Sequence, residues 1–232
     1  MSHPHNFVDD VMRRCSLVVS RLKSDPVIGS YVDPSLDVPR PFHGSGDIQL
    51  ILLGQDPTVE DAETRRRITT VLMLDEETSN LRRFVCTICK GLGLSLDANV
   101  YATNVCKNFF TSPPESISDP DLIVASWEFW QDCLRRELDR FAEASVVTLG
   151  SQVLKILVTD GCRIDLKHYW GHVRGWKTKG RGPFQFVEGE QSTNRRRFFP
   201  LPHITNSTAT ELYREHFDDY LTFIRSTERQ VA

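Results

Sequence analysis

Residues 48–53 read Ile-Gln-Leu-Ile-Leu-Leu and stop at Gly54-Gln55-Asp56-Pro57. So short and apolar a run, closed by turn residues, suits a strand buried on both faces, as in a parallel sheet covered by helices. Three more segments fit that role: Asn99–Asn104, Ser145–Leu149 and Arg197–Leu201. Helical patterns separate them. Leu81, Phe84, Val85 and Ile88 share one face behind a Thr78 or Ser79 cap. Trp127, Trp130, Leu134, Leu138 and Phe141 line a long helix expected from about Asp119 to Ala142. A short helix covers Gln152–Val158, and Thr208-x-x-Glu211 reads as a capping box for the last helix. Ahead of the first strand, Val8, Val11, Met12, Cys15, Val18, Val19 and Leu22 form an apolar stripe, giving a helix over 5–24. Residues 26–46 and 166–195, rich in Pro and Gly, read as irregular. The alternation predicts an α/β fold of three layers (αβα), with a mainly parallel four-stranded sheet and helices on both faces. It spans residues 1–232 as one domain, with the N-terminal helix packed on it.

Composition narrows the function classes. With 40% apolar and 25% charged residues in 232, the chain is neither disordered nor a coiled coil. No apolar run approaches the ~20 residues of a membrane span. The N-terminus shows no signal-peptide pattern, so a cytoplasmic, monomeric protein is expected. Twenty-eight basic against 31 acidic residues give a net charge of −3, which excludes a globally basic nucleic-acid coat protein but not local basic patches. The six cysteines are scattered, and Cys86-x-x-Cys89 lies in a helical pattern with no second pair nearby. They read as small core residues, with no metal site.

In such sheets ligands bind beyond the carboxyl ends of the strands. That rule selects Gln55-Asp56, Thr103-Asn104, Gly150-Ser151 and the segment from His203 to Asn206. Asp56, held extended by Pro57, is either a helix cap or a carboxylate placed to activate water. The Asn104 amide has the donors and acceptors to read a nucleobase edge, though a lone Asn at a strand end is commonly a turn former. His203 is able to donate to a developing oxyanion. A carboxylate, an amide and an imidazole thus converge on one expected cleft. Arg65-Arg66-Arg67, Lys177-x-Lys179-x-Arg181 and Arg195-Arg196-Arg197 are either phosphate contacts or solvated charge. Thr205 and Ser207 are candidates for phosphate contact near the last helix. Trp170 and Trp176 either close the core or stack on a base.

Taken in order, these motifs resemble the uracil-DNA glycosylase superfamily. Gly54-Gln55-Asp56-Pro57 after an apolar strand is similar to its first signature. Tyr101-Ala-Thr-Asn104-Val-Cys-Lys107 is similar to the strand bearing its base-reading Asn, Val146–Gly150 to its third strand, and Leu201-Pro-His203 to its second signature. The resemblance covers roughly residues 40–224. It implies a base-flipping hydrolase that breaks the bond between sugar and base in DNA and leaves an abasic site, with no cofactor. Asp56 and His203 would be catalytic, with Gln55, Asn104 and Thr58 around the base. Thr205, Ser207, Arg195, Arg196 and Arg197 would bind DNA phosphates. Thr58-Val59 stands where the uracil-specific branch has Tyr-His. Residues 67–71 lack an aromatic, and Asn108 stands where the iron–sulfur branches have a Cys. These departures point to a 5-substituted pyrimidine, such as a bulky modified cytosine of foreign DNA, as well as uracil. Two other readings are a catalytically weak lesion-binding relative and a hydrolase of small nucleosides.

Overall fold

The computed structural model describes residues 4–117, 122–159, 165–173, 180–204 and 210–229. At its centre lies β2 (Leu50–Gly54), where Leu50, Ile51, Leu52 and Leu53 are all fully buried. It pairs in parallel with β3 (Val100–Asn104) on one side and β4 (Ser145–Leu149) on the other. β5 (Phe199–Leu201) extends the sheet in parallel beside β4 and tolerates Pro200 because it is an edge strand.

The sheet has five strands rather than the four expected, in the order β1-β3-β2-β4-β5. The addition is β1 (Phe42–His43), antiparallel to β3, inside the segment read as loop. Two residues between Pro41 and Gly44 are too short to show a period, and only pairing along β3 makes them a strand.

Helices form on the expected stripes. α1 (Pro4–Lys23) buries Val8, Val11, Cys15, Val18 and Leu22 and packs on α5 (Leu122–Arg140). Two short helices, α2 (Ala62–Arg67) and α4 (Leu96–Asn99), flank α3 (Asn80–Leu92). α3 starts where the Ser79 side chain accepts the Arg82 N–H and ends at Gly93, whose φ of +76° is the left-handed stop glycine permits. α6 (Ser151–Leu157) follows β4, and α7 (Leu166–Tyr169) is one turn within the stretch expected to be irregular. α8 (Glu211–Arg229) packs on α3, with Leu221 closing against Gly91. Thr208 of the expected capping box lies outside the described residues.

Trp170 is fully buried and stacks on Tyr220 at 4.4 Å between ring centroids. Its indole N–H donates to Pro200 O at 2.9 Å, so it closes the core; Trp176 lies outside the described residues. Among the described residues no helix is long and apolar enough to cross a membrane.

Cys15, Cys89, Cys106 and Cys133 are buried, but Cys86 is exposed on α3, which corrects its reading as a core residue. Cys86 sits one residue past the Val85 position that faces the core, so the helix turns it outward. Burial pushes the Cys15 and Cys89 thiols up to about 12. Iodoacetamide at neutral pH should therefore alkylate Cys86 rapidly in the folded protein and these four only on unfolding, as read by peptide mass spectrometry.

Candidate functional site

The strand register sets where the site lies. Gly54 of β2 pairs with Asn104 of β3, Leu53 with Thr148 of β4, and Leu149 with Leu201 of β5. The carboxyl ends of four parallel strands thus finish nearly level. A cleft of about 420 Å³ opens over them. Gln55, Asp56, Thr58, Asn104 and His203 all line it, so the catalytic and base-binding candidates read from the sequence meet in one place. Gly150, Ser151 and Gln152 complete the polar side. Gly150 has φ +92°, a turn that favours glycine, and donates its N–H to Leu201 O at 2.8 Å. That bond ties the β4 exit to the strand that leads into His203.

Asp56 is held by its own neighbours. Its Oδ1 accepts the Thr58 N–H at 2.8 Å, and its Oδ2 accepts Gln55 Nε2 at 2.9 Å. It does not cap a helix: α2 begins six residues later and takes its cap from Asp61, whose side chain accepts the Thr64 N–H. The turn Asp56–Thr58 therefore aims a carboxylate at the cleft. The Gln55 carbonyl accepts from Cys106 N, and Gly54 O accepts from Val105 N, both at 2.9 Å, so the chain after β2 is stitched to the chain after β3. Thr58 turns its hydroxyl onto the backbone, where it accepts the Phe110 N–H at 2.8 Å. Burial raises the Cys106 thiol well above its ordinary range, and the nearby Asp56 charge adds to the rise.

Asn104 is 1% exposed, yet its Oδ1 has no hydrogen-bond partner among the described residues. A buried amide oxygen left unpaired costs about 1–3 kcal/mol, so such groups call for an explanation. Its position depends on Gly54. A Cβ built on Gly54 would lie 2.3 Å from Asn104 Oδ1 and 3.2 Å from a Leu72 methyl. Only glycine at the end of β2 lets the amide approach this closely.

The apolar wall opposite is Ile68, Leu72, Met73 and Leu81. Among the described residues the lining includes no Phe, Tyr or Trp. Leu72 and Met73 both have positive φ, +58° and +50°, a left-handed pair costing about 1–2 kcal/mol per residue. The segment is pinned by Arg40, whose N–H donates to Thr69 O and whose carbonyl accepts the Val71 N–H. Sequence reading missed Ile68, Leu72, Met73 and Gln152 as lining residues and placed Leu81 only on a helix face. Aliphatic side chains in a short irregular segment carry no periodic or chemical signal, and the strain that presents them arises only in the fold.

The arginine clusters are not brought to the cleft. Arg196 donates to the carbonyls of Leu138, Phe141 and Ala144, sealing the end of α5 and the entry to β4. Those groups lie at the amino ends of the strands, opposite the cleft. Arg195 adopts a turn with φ +58° there, and Arg197 pairs with Glu228 at 3.4 Å while covering the Phe186 ring. Arg195, Arg196 and Arg197, expected to contact phosphates, thus do not line this cleft: unpaired carbonyls at the end of α5 recruited Arg196. Arg65 is likewise buried, donating to Val59, Glu60, Phe110 and Thr111 carbonyls. Thr205, Ser207, Lys177 and Lys179 lie outside the described residues.

No protein-family model matches the chain, and no curated protein matches it.

The close approach of Gly54 to Asn104 has a measurable consequence. Gly54→Ala should lower unfolding free energy in urea by about 1–3 kcal/mol, the cost of overpacking. The same substitution made in an Asn104→Ala background should cost less than about 1 kcal/mol, because the clashing amide is gone.

Proposed function

We propose that this cleft hydrolyses the N-glycosidic bond of an extruded pyrimidine in DNA and leaves an abasic site. The observation that carries the proposal is the Asn104 amide: buried in the cleft wall, unpartnered at Oδ1, and set beside a carboxylate fixed by two hydrogen bonds. A site that leaves a polar group unpaired is one that a ligand completes. Asn104 would then bind the N3 and position-4 edge of the base. Asp56 would align the attacking water and stabilise the cationic, oxocarbenium-like sugar. His203 would donate to O2 of the departing base as it gains negative charge. Each role falls to a residue at the end of a different parallel strand, and the reaction needs all three groups around one small ring.

The pocket's shape favours a base larger than uracil. Thr58 is small and its hydroxyl is committed to Phe110, so nothing bulky stands at that corner. The opposing wall is aliphatic rather than aromatic, and the cleft of about 420 Å³ falls within the ordinary range for ligand sites. Both features suit a pyrimidine carrying a 5-substituent, including a modified cytosine, better than a tight slot for a flat ring.

Single-turnover excision, read as alkali-labile cleavage of an oligonucleotide, tests this. Asp56→Asn keeps the shape but removes the charge, and His203→Ala removes the donor. Each should slow excision by about 10²–10³ while far-UV circular dichroism stays unchanged. Wild-type rates in either variant would refute the assignment.

A further inference from the structure

Behind the sheet, on the face away from the cleft, a charged pair is buried. Lys107 is 3% exposed and Glu137 1%. Lys107 Nζ meets three acceptors: Glu137 Oε1 at 2.7 Å, Thr103 Oγ1 at 2.5 Å and the Asn104 main-chain carbonyl at 2.9 Å. The contact with Glu137 is an ion pair, and the other two are hydrogen bonds. Glu137, on α5, also accepts the Tyr101 hydroxyl at 2.7 Å through Oε2. Tyr101 and Thr103 are alternate residues of β3 and point to the α5 side; Asn104, one residue on, points to the cleft. Neither Lys107 nor Glu137 lines the cleft.

Such a pair is a poor way to gain stability. Desolvating two charges offsets most of their attraction, and well-packed apolar residues at the same positions commonly serve stability as well or better. What an apolar pair lacks is direction. Asn104 ends β3, and Lys107 donates to its main-chain carbonyl. On the other face the Asn104 amide is not fixed by any hydrogen bond at Oδ1. We propose that the buried Lys107–Glu137 pair is a positioning device that holds the end of β3, and with it the Asn104 amide, from behind the sheet. Lys107 and Glu137 do not touch the substrate; they act through Asn104. For its activity readout the proposal rests on the glycosylase reading above.

The test separates positioning from stability. In the triple variant Lys107→Met/Glu137→Leu/Tyr101→Phe the ionic network is replaced by apolar groups of similar size. Its thermal midpoint should match or exceed that of the wild type, while single-turnover excision falls at least about tenfold. Introduced into Asn104→Ala, the same three changes should add no further loss, because the group they position is absent. Thr103→Val, nearly isosteric, takes away one Lys107 acceptor and keeps the test alive if the triple variant does not fold. It should slow excision about two- to threefold, and again not in Asn104→Ala. An unchanged rate, or an equal loss with and without Asn104, overturns the proposal.

A second readout needs no activity. The Asn104 side-chain amide signals in a ¹H–¹⁵N spectrum, identified by their loss in Asn104→Ala, should shift or broaden in the triple variant, or in Thr103→Val if the triple variant does not fold. Unchanged signals overturn the proposal. If the wild type excises no base but these signals move, the function is wrong and the positioning stands.

Discussion

The parallel pairing of β2 with both its neighbours is the constraint on which the rest depends. Leu50 to Leu53 face apolar layers on both sides, so the strand has no solvent face on which to slip. Its register brings Gly54 level with Asn104 and, through β4, brings the β5 exit alongside. A shift of one residue would turn Asn104 from the cleft to the α5 side and move Asp56 along the strand axis by about 3.3 Å. The proposed chemistry tolerates neither change. The same register permits the cross-stitching of Gln55 O to Cys106 N, which fixes the two loops that carry the carboxylate and the amide.

Given that frame, polar and apolar sides of the cleft arise in different ways. The polar side comes directly from strand ends, where backbone geometry is set by the sheet. The apolar side comes from Ile68 to Met73, a segment with two consecutive left-handed non-glycine residues that hydrogen bonds to Arg40 help hold in place. Strain of this kind persists where the surroundings over-determine it, and it places Leu72 against Gly54 and the Asn104 amide. The proposed chemistry would use such a division: fixed dipoles and a charge at the reacting bond, with a dry wall beside the ring that strengthens them.

Much of this was legible from residue order. The four parallel strands, the long helices and the meeting of Asp56, Asn104 and His203 follow from apolar runs, helical stripes and the rule that ligands sit at strand carboxyl ends. What escaped had physical reasons. β1 is two residues long and exists only as a partner of β3. Arg195, Arg196 and Arg197 look like a phosphate cluster because the string conveys charge but not the open carbonyls at the end of α5 that bind Arg196. Nothing in the sequence marks Lys107 as buried; Glu137, thirty residues later on a different element, makes it a core residue. Pairings at that separation leave no local trace in a single sequence.

The central claim is that this cleft breaks a glycosidic bond. The direct measurement is mass spectrometry of single-modification oligonucleotides, single- and double-stranded, after incubation with the protein. The set should contain uracil, 5-hydroxymethylpyrimidines and glycosylated pyrimidines. The protein should release the intact free base, leaving the DNA lighter by the mass of an abasic conversion, for at least one 5-substituted pyrimidine at a rate equal to or above that for uracil. DNA of unchanged mass across the whole set would contradict the claim.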